Sequence, residues 1–365
     1  MARILVIKPS SLGDLVHTAP AVDFLSRLEP RPEISWVVHE AYADLVREFP
    51  GVTEVIPFPR SLFRLGALPG GLPPALRWAR GLRRGFDVAL DFQGLQRSGL
   101  MGRLSGARER FGYRDARELA WIHYTRRLAP PRGSAHEVDR HLGLARAARA
   151  LLAERGLAAL GPAPPAGDEE WLRSWRLAVP PAYAEFGARA LGEGGPPAVV
   201  LCPSGRWESK RWPAERWAEL ACALWEGEPR FRPILLAGAA EAAEAERIAS
   251  LAGDRVPLEM WVARTNFWET ASILARAAAV VGVDSFPLHF AWALGTPTVG
   301  LFGPSTPARV GPRGERHAVI WREDLACKGC WRHRCPRADW LCMPGISSAD
   351  VLRKIGSVLS LTLFS

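Results

Sequence analysis

The sequence predicts an α/β protein built as two doubly wound parallel-sheet halves facing a central cleft. Three observations carry this. Short runs rich in Val, Ile and aromatic residues alternate with helix-like runs, in the βαβα order of a parallel sheet covered on both faces. The alternation is interrupted by a stretch rich in Gly, Pro and Ala between residues 156 and 197 and then begins again. The chain has 365 residues, 48% hydrophobic and 23% charged, enough for two ordinary domains and unlike a disordered chain.

In the first half, residues 4–8, 34–39, 54–57 and 88–92 read as strands, each bounded by Pro, Gly or a charge. Residues 21–28 and 41–48 carry helical patterns between them. The segments "GLAALGPAPPAGDEE" and "LGEGGPPAVV" have the composition of a linker between lobes. Residues 198–202, 233–237, 279–283 and 298–302 then read as buried strands. "AAEAAEAERIAS" and "NFWETASILARAAA" read as helices. The expected domains are 1–170 and 171–345. The tail 346–365 is expected to carry a helix at 348–359 that returns to the first domain, with a hinge around 161–181.

Lys and Arg number 47 against 38 Asp and Glu, a net charge of +9. Such a surface favours acidic partners: nucleic acid, anionic membrane or phosphorylated substrates. No stretch approaches the roughly 18 uninterrupted apolar residues of a membrane helix. The opening apolar run is too short for a signal sequence, so the protein reads as cytosolic. Lysine occurs only at Lys8, Lys210, Lys328 and Lys354; every other basic residue apart from histidine is arginine. A lysine kept against that bias is either chance or needed for its compact ammonium.

Three stretches carry chemistry. "ILVIKPSSLGDLVHTAP", residues 4–20, runs from strand to helix through a small polar hinge containing Ser11, Gly13 and Asp14, with His17 one turn on. Strand-to-helix turns lie at the carboxyl ends of the sheet, where ligands bind. Asp14 is either a helix cap or a functional carboxylate. "LCPSGRWESKRWPAERWAEL", residues 201–220, offers Ser204, Gly205 and Lys210 as a phosphate cradle of hydroxyl, backbone amides and ammonium. The alternative is a loop whose tryptophans pack on the domain. "VVGVDSFPLHFAWALGTPTVGLFGPSTP", residues 280–307, delivers Asp284, Ser285 and His289 at one strand end, and Gly303, Pro304, Ser305 and Thr306 at the next.

Together with "DFQGLQRSG", "HEVDRHL" and "SKRWPAERWAEL", these stretches resemble glycosyltransferase family 9, the heptosyltransferases of the lipopolysaccharide inner core. The N-terminal half is more similar to the type I than to the type II enzymes. The resemblance implies a GT-B fold and an inverting, metal-independent reaction without a cofactor. Heptose would move from ADP-heptose to a Kdo hydroxyl of the lipid A precursor. Asp14 matches the general base. Ser204, Gly205 and Lys210 match the diphosphate site, and Glu241 the carboxylate on the adenosine ribose. Asp284, Ser285, His289, Gly303 and Pro304 match the rest of the donor site. Ser11, Gly13, His17, Arg60, Arg64, Gln93, Arg117 and Arg140 fall where the family meets its anionic acceptor. The arginines of the first half, Arg80, Arg83 and Arg84 among them, are either a solvated face or a surface for anionic lipid. Peripheral contact with the cytoplasmic face of the inner membrane follows from that reading. One departure is Phe286, where the family usually has Gly.

Cys327, Cys330, Cys335 and Cys342 form C-x2-C-x4-C-x6-C. They are either a structural zinc site of unusual spacing or thiols without a metal. Other functions stay open on sequence: a type II heptosyltransferase or another family 9 transferase acting on a different glycan, a GT-B-shaped nucleotide-sugar epimerase, and a basic nucleic-acid-binding protein. The last lacks any recognised nucleic-acid-binding pattern, so no nucleic-acid partner is expected.

Overall fold

Continuous apolar runs such as Ile4–Ile7, fully buried, need cover on both faces, and only a parallel sheet between helices supplies it. The computed structural model describes residues 1–63, 72–131, 136–159, 167–192 and 194–360, without the side chains of 62, 63, 72, 73 and 167–170. Among these residues twelve strands form two six-stranded sheets, and every strand pairing is parallel.

The first sheet contains β1 (Arg3–Ile7), β2 (Glu33–His39), β3 (Glu54–Phe58), β4 (Val88–Asp91), β5 (Glu109–Tyr113) and β6 (Arg126–Leu128), in the order β3-β2-β1-β4-β5-β6. The second contains β7 (Ala198–Cys202), β8 (Arg232–Ala237), β9 (Glu259–Val262), β10 (Ala279–Val283), β11 (Thr298–Phe302) and β12 (His317–Trp321), in the order β12-β11-β10-β7-β8-β9. Both are the doubly wound order. In each, the chain reverses direction across the sheet between the first and fourth strands, β1 beside β4 and β7 beside β10. The crevice at the carboxyl ends of those two strands is where ligands bind in such folds.

The chain divides into Met1–Trp175 and Arg176–Ser365. The sequence reading places the boundary five residues earlier. It also sends the last helix back to the first domain; instead, Ser348–Ser360 packs on β10–β12 and adds Val351, Ile355 and Val358 to the core of the second unit. Its apolar residues recur at helical spacing and meet Leu220, Leu224 and Met343 in that core. Of the expected hinge, residues 161–166 lie outside the described residues.

The eight expected strands are present. The sequence reading omits β5, β6, β9 and β12. β6, β9 and β12 are half-buried or exposed strands at the sheet margins, and β5 carries Glu109 and Arg110. Their polar residues hide the apolar run by which a buried strand is recognised. No helix among the described residues is long and apolar enough to cross a membrane.

Candidate active site

At the β1/β4 crevice the chain leaves β1 through Lys8 and enters the helix Leu12–Ser26 with Ser11 at its N-cap. Asp14 sits in the first turn. Its Oδ2 accepts from the Ser11 N–H and the Ser11 hydroxyl, both at 2.9 Å, and lies 4.0 Å from Lys8 Nζ. The capping role considered from sequence is therefore real. It occupies one oxygen only: Oδ1 has no hydrogen-bond partner among the described residues, and the side chain is 36% exposed. Asp14 ionises below the ordinary carboxylate range. Desolvation would raise its pKa, but the Lys8 ammonium and the two Ser11 hydrogen bonds outweigh it.

The neighbouring turn after β4 is held by Asp91, which is buried. It accepts from the N–H groups of Gln93 and Gly94 (2.9 Å each), Ser98 Oγ (2.9 Å) and Tyr124 OH (2.7 Å). Burial nevertheless raises its pKa. This turn presents Gln93, whose Oε1 accepts from the Ser10 N–H at 3.2 Å, and Phe92, whose carbonyl accepts from Lys8 Nζ at 3.1 Å.

The expected acceptor residues separate into groups. Ser11, Gly13 and Gln93 lie in these two turns; Gly13 falls within the helix and has no left-handed conformation. His17 is 2% exposed and packs edge-on against His136, so it is not presented at the surface of the turn as Ser11 is. Residues 15–22 of this helix are all buried, so the helix is enclosed on every side rather than along one face. Arg60 and Arg117 are exposed. Arg140 is held by both carboxylate oxygens of Asp115 (3.0 and 3.1 Å) and lies over the Tyr113 ring. Arg64 lies outside the described residues.

At the β7/β10 crevice a second polar cluster is more deeply buried. Asp284, at the end of β10, is 6% exposed. Lys210 Nζ lies 2.6 Å from its Oδ2, and His289 Nε2 donates to its Oδ1 at 2.9 Å. Burial alone would raise the carboxyl pKa. The His289 hydrogen bond and the Lys210 ammonium reverse this and hold it far below the ordinary range. Lys210 reaches the pair from the loop after β7, with its ammonium 4.3 Å from the Trp207 ring centre; Trp207 in turn stacks on His333. Beside them the hydroxyl oxygens of Ser285 and Ser305 are buried and make no hydrogen bond among the described residues. Buried hydroxyls without partners are costly unless a ligand satisfies them.

Ser204 and Gly205 stand in the same loop, Gly205 buried. Glu241 follows β8, the strand next to β7. Ser285 caps the helix Phe286–Leu294, whose first-turn amides face the strand end. Gly303 is small for a structural reason: a Cβ there would meet Met343 at 2.7 Å. Its carbonyl accepts from Trp321 Nε1, and the Pro304 carbonyl from the Trp331 N–H. The Phe286 ring packs against Phe290 and Phe267, so its bulk is taken up in an aromatic cluster.

Cys327 and Cys330 are exposed, and Cys335 and Cys342 half-buried. Among the described residues no three His, Cys, Asp or Glu side chains are gathered as a metal site. Sequence reasoning missed Asp91, Tyr124 and His141 as site-building residues. Asp91 stands inside the quoted "DFQGLQRSG" and His141 inside the quoted "HEVDRHL", but neither is singled out there.

A family model described as glycosyltransferase family 9 (heptosyltransferase) matches residues 75–341. The lipopolysaccharide heptosyltransferase 1 of Pseudomonas aeruginosa is 32% identical over 91% of this chain and 87% of its own. Among solved structures, the Escherichia coli heptosyltransferase WaaC with ADP superposes with a TM-score of 0.71 at 25% identity, covering 98% of this chain and 99% of that one. The E. coli ADP-heptose heptosyltransferase II shares the fold, with a TM-score of 0.75 at 21% identity over 99% of each chain.

Proposed function

The chain belongs to glycosyltransferase family 9, the heptosyltransferases, and has the GT-B fold; from this we propose that it transfers heptose from ADP-heptose to a Kdo hydroxyl of the lipid A inner core. The observation that carries the donor side is the buried Asp284–Lys210–His289 cluster at the β7/β10 crevice, flanked by two unpartnered hydroxyls. A diphosphate satisfies such a cluster: it accepts from the ammonium, from Ser204, Ser285 and Ser305, and from helix-end amides. Glu241 fits the ribose hydroxyls and Gly205 the close approach of the phosphates. The relatives named type 1 and the complex with ADP support this donor and the type I reaction.

In the reaction the acceptor hydroxyl attacks the anomeric carbon. Its proton passes to Asp14 Oδ1 as the new C–O bond forms. The bond from the anomeric carbon to the β-phosphate oxygen breaks, and its electron pair leaves with ADP. A positioned general base contributes roughly 10²–10⁴ in rate. Lys210 and the surrounding donors stabilise the charge that develops on the leaving diphosphate. The base and the donor cluster are carried by different units; in-line attack needs the acceptor oxygen and the anomeric carbon about 3–3.5 Å apart. Arg60, Arg64, Arg117 and Gln93 supply contacts for an anionic acceptor, and Arg140 does so if Asp115 releases it. The net charge of +9 supports peripheral contact with anionic membrane lipid at the cytoplasmic face. The epimerase and nucleic-acid readings lose their footing once the family is known.

The test is mass spectrometry of products from ADP-heptose with Kdo-lipid A or with an acceptor already bearing one heptose. The proposal expects one heptose added to the first acceptor and ADP released in equal amount. Transfer only to the second would indicate a type II enzyme, and transfer to neither would overturn the assignment.

A further inference from the structure

We propose that Lys8 is a positioning residue for Asp14, a fixed ammonium that holds Oδ2 inward and leaves Oδ1 for the acceptor proton. The inference rests on the reading of Asp14 as general base. Lys8 is 5% exposed and fixed from both neighbouring strands. Its N–H donates to Val37 O at 3.2 Å, its carbonyl accepts from Trp36 Nε1 at 3.2 Å, and its Nζ donates to Phe92 O at 3.1 Å. The carboxylate that its ammonium faces is Asp14, at 4.0 Å.

Among the described residues the other titratable group acting on this pair is His141, from the helix Glu137–Glu154, which is itself acted on by Glu137. Its Nδ1 lies 3.1 Å from the carbonyl of His17, which can only accept, so Nδ1 carries the proton. Burial and the Lys8 ammonium push its pKa down to about 4, so the ring is neutral at working pH. Lys8 is therefore the cation that keeps Asp14 ionised, with Ser11 adding two hydrogen bonds to the same oxygen. After each transfer the same field expels the captured proton to solvent and restores the base.

The site also explains why this is one of only four lysines in a chain that uses arginine elsewhere. A compact ammonium fits a buried position with one carbonyl and one carboxylate, whereas a planar guanidinium brings five donors that need partners.

The experiment is the pH profile of kcat/KM for Kdo-lipid A, with saturating ADP-heptose, in the wild type, Lys8→Gln, Lys8→Arg and Asp14→Asn. Glutamine keeps a donor for Phe92 O and removes the charge. Its acid limb should move to higher pH by at least about one unit, with a smaller loss at pH 8 than at pH 6 and an unchanged donor affinity. Lys8→Arg should keep the limb near the wild-type position. A lowered rate in Lys8→Gln with an unmoved limb would reduce Lys8 to a structural role and overturn the inference. Near wild-type turnover in Asp14→Asn would instead remove the general-base reading itself. If Lys8→Gln does not fold, ¹³C NMR of the wild-type carboxyls decides. The signal lost in Asp14→Asn must titrate below the ordinary 3.8, and titration at or above it overturns the inference.

Discussion

Replacing Lys210 with Met tests the donor cluster by separating its two jobs. The side chain is 14% exposed and its ammonium sits 2.6 Å from an Asp284 oxygen in a carboxylate 5% exposed. Methionine keeps a stem to lie over Trp207 but leaves Asp284 with His289 as its remaining hydrogen-bond partner. Breaking a buried pair from one side costs about 3–5 kcal/mol, because the remaining charge stays desolvated. For the unit Arg176–Ser365, the lower figure corresponds to a fall of about 6–12 °C in unfolding temperature. The sign with pH follows from the depressed folded pKa of Asp284. The stability it contributes is full above the unfolded carboxylate value near 3.8 and is lost as pH falls through the folded value. The gap between wild type and variant should therefore be widest at neutral pH and close in acid. Loss of a charge-assisted hydrogen bond to the diphosphate should weaken ADP binding about 10–100-fold. The double variant Lys210→Met with Asp284→Asn separates these effects: it removes the stranded charge, so much of the stability should return while ADP affinity stays low. Calorimetric unfolding and titration with ADP measure both quantities. Recovery of ADP affinity in the double variant, or no loss of stability in the single one, would refute the reasoning.

Two further outcomes follow from local geometry. Gly303→Ala should destabilise the second unit by about 1–3 kcal/mol, because the new Cβ meets Met343 at 2.7 Å; Gly205→Ala, whose nearest contact would be an ordinary 3.4 Å, should unfold within about 1 kcal/mol of wild type, as thermal denaturation will show. Tyr124→Phe removes a 2.7 Å hydrogen bond from buried Asp91 and should cost about 1–3 kcal/mol. Because the folded pKa of Asp91 is already raised, stability tied to it declines as pH climbs from 3.8 through the folded value, and the variant should steepen that decline in a pH series of denaturation midpoints.

The central strands were legible because their burial leaves unbroken apolar runs, as in Ile4–Ile7 and Ala279–Val283. β5 was not, because Glu109 and Arg110 break its run, and β12 was not, because it is a half-buried margin strand with only four apolar residues after His317, while the backbone of both still pairs. Asp284 stood out as a polar group directly after a hydrophobic strand, and Asp14 and Lys210 as polar groups in the segments that follow β1 and β7. Their partners did not. Tyr124 and His141 come from elements 110 and 127 residues after Asp14, and only the fold brings them to Asp91 and Lys8. His17 is the opposite case: a polar residue one turn beyond the strand-end turn, but in a helix buried on every side. A helix was expected at 348–359, but the spacing of its apolar residues does not say which core they join.

The most direct test of the account is Asp14→Asn assayed on two axes. Asparagine can still accept the Ser11 hydrogen bonds that cap the helix, so the fold should hold. Titration with ADP should give the wild-type affinity, because the donor cluster belongs to the other unit. Single-turnover transfer of heptose from ADP-heptose to Kdo-lipid A should fall by roughly 10²–10⁴. A variant that binds ADP normally and fails to transfer is the result the account predicts; one that transfers at near the wild-type rate would contradict it.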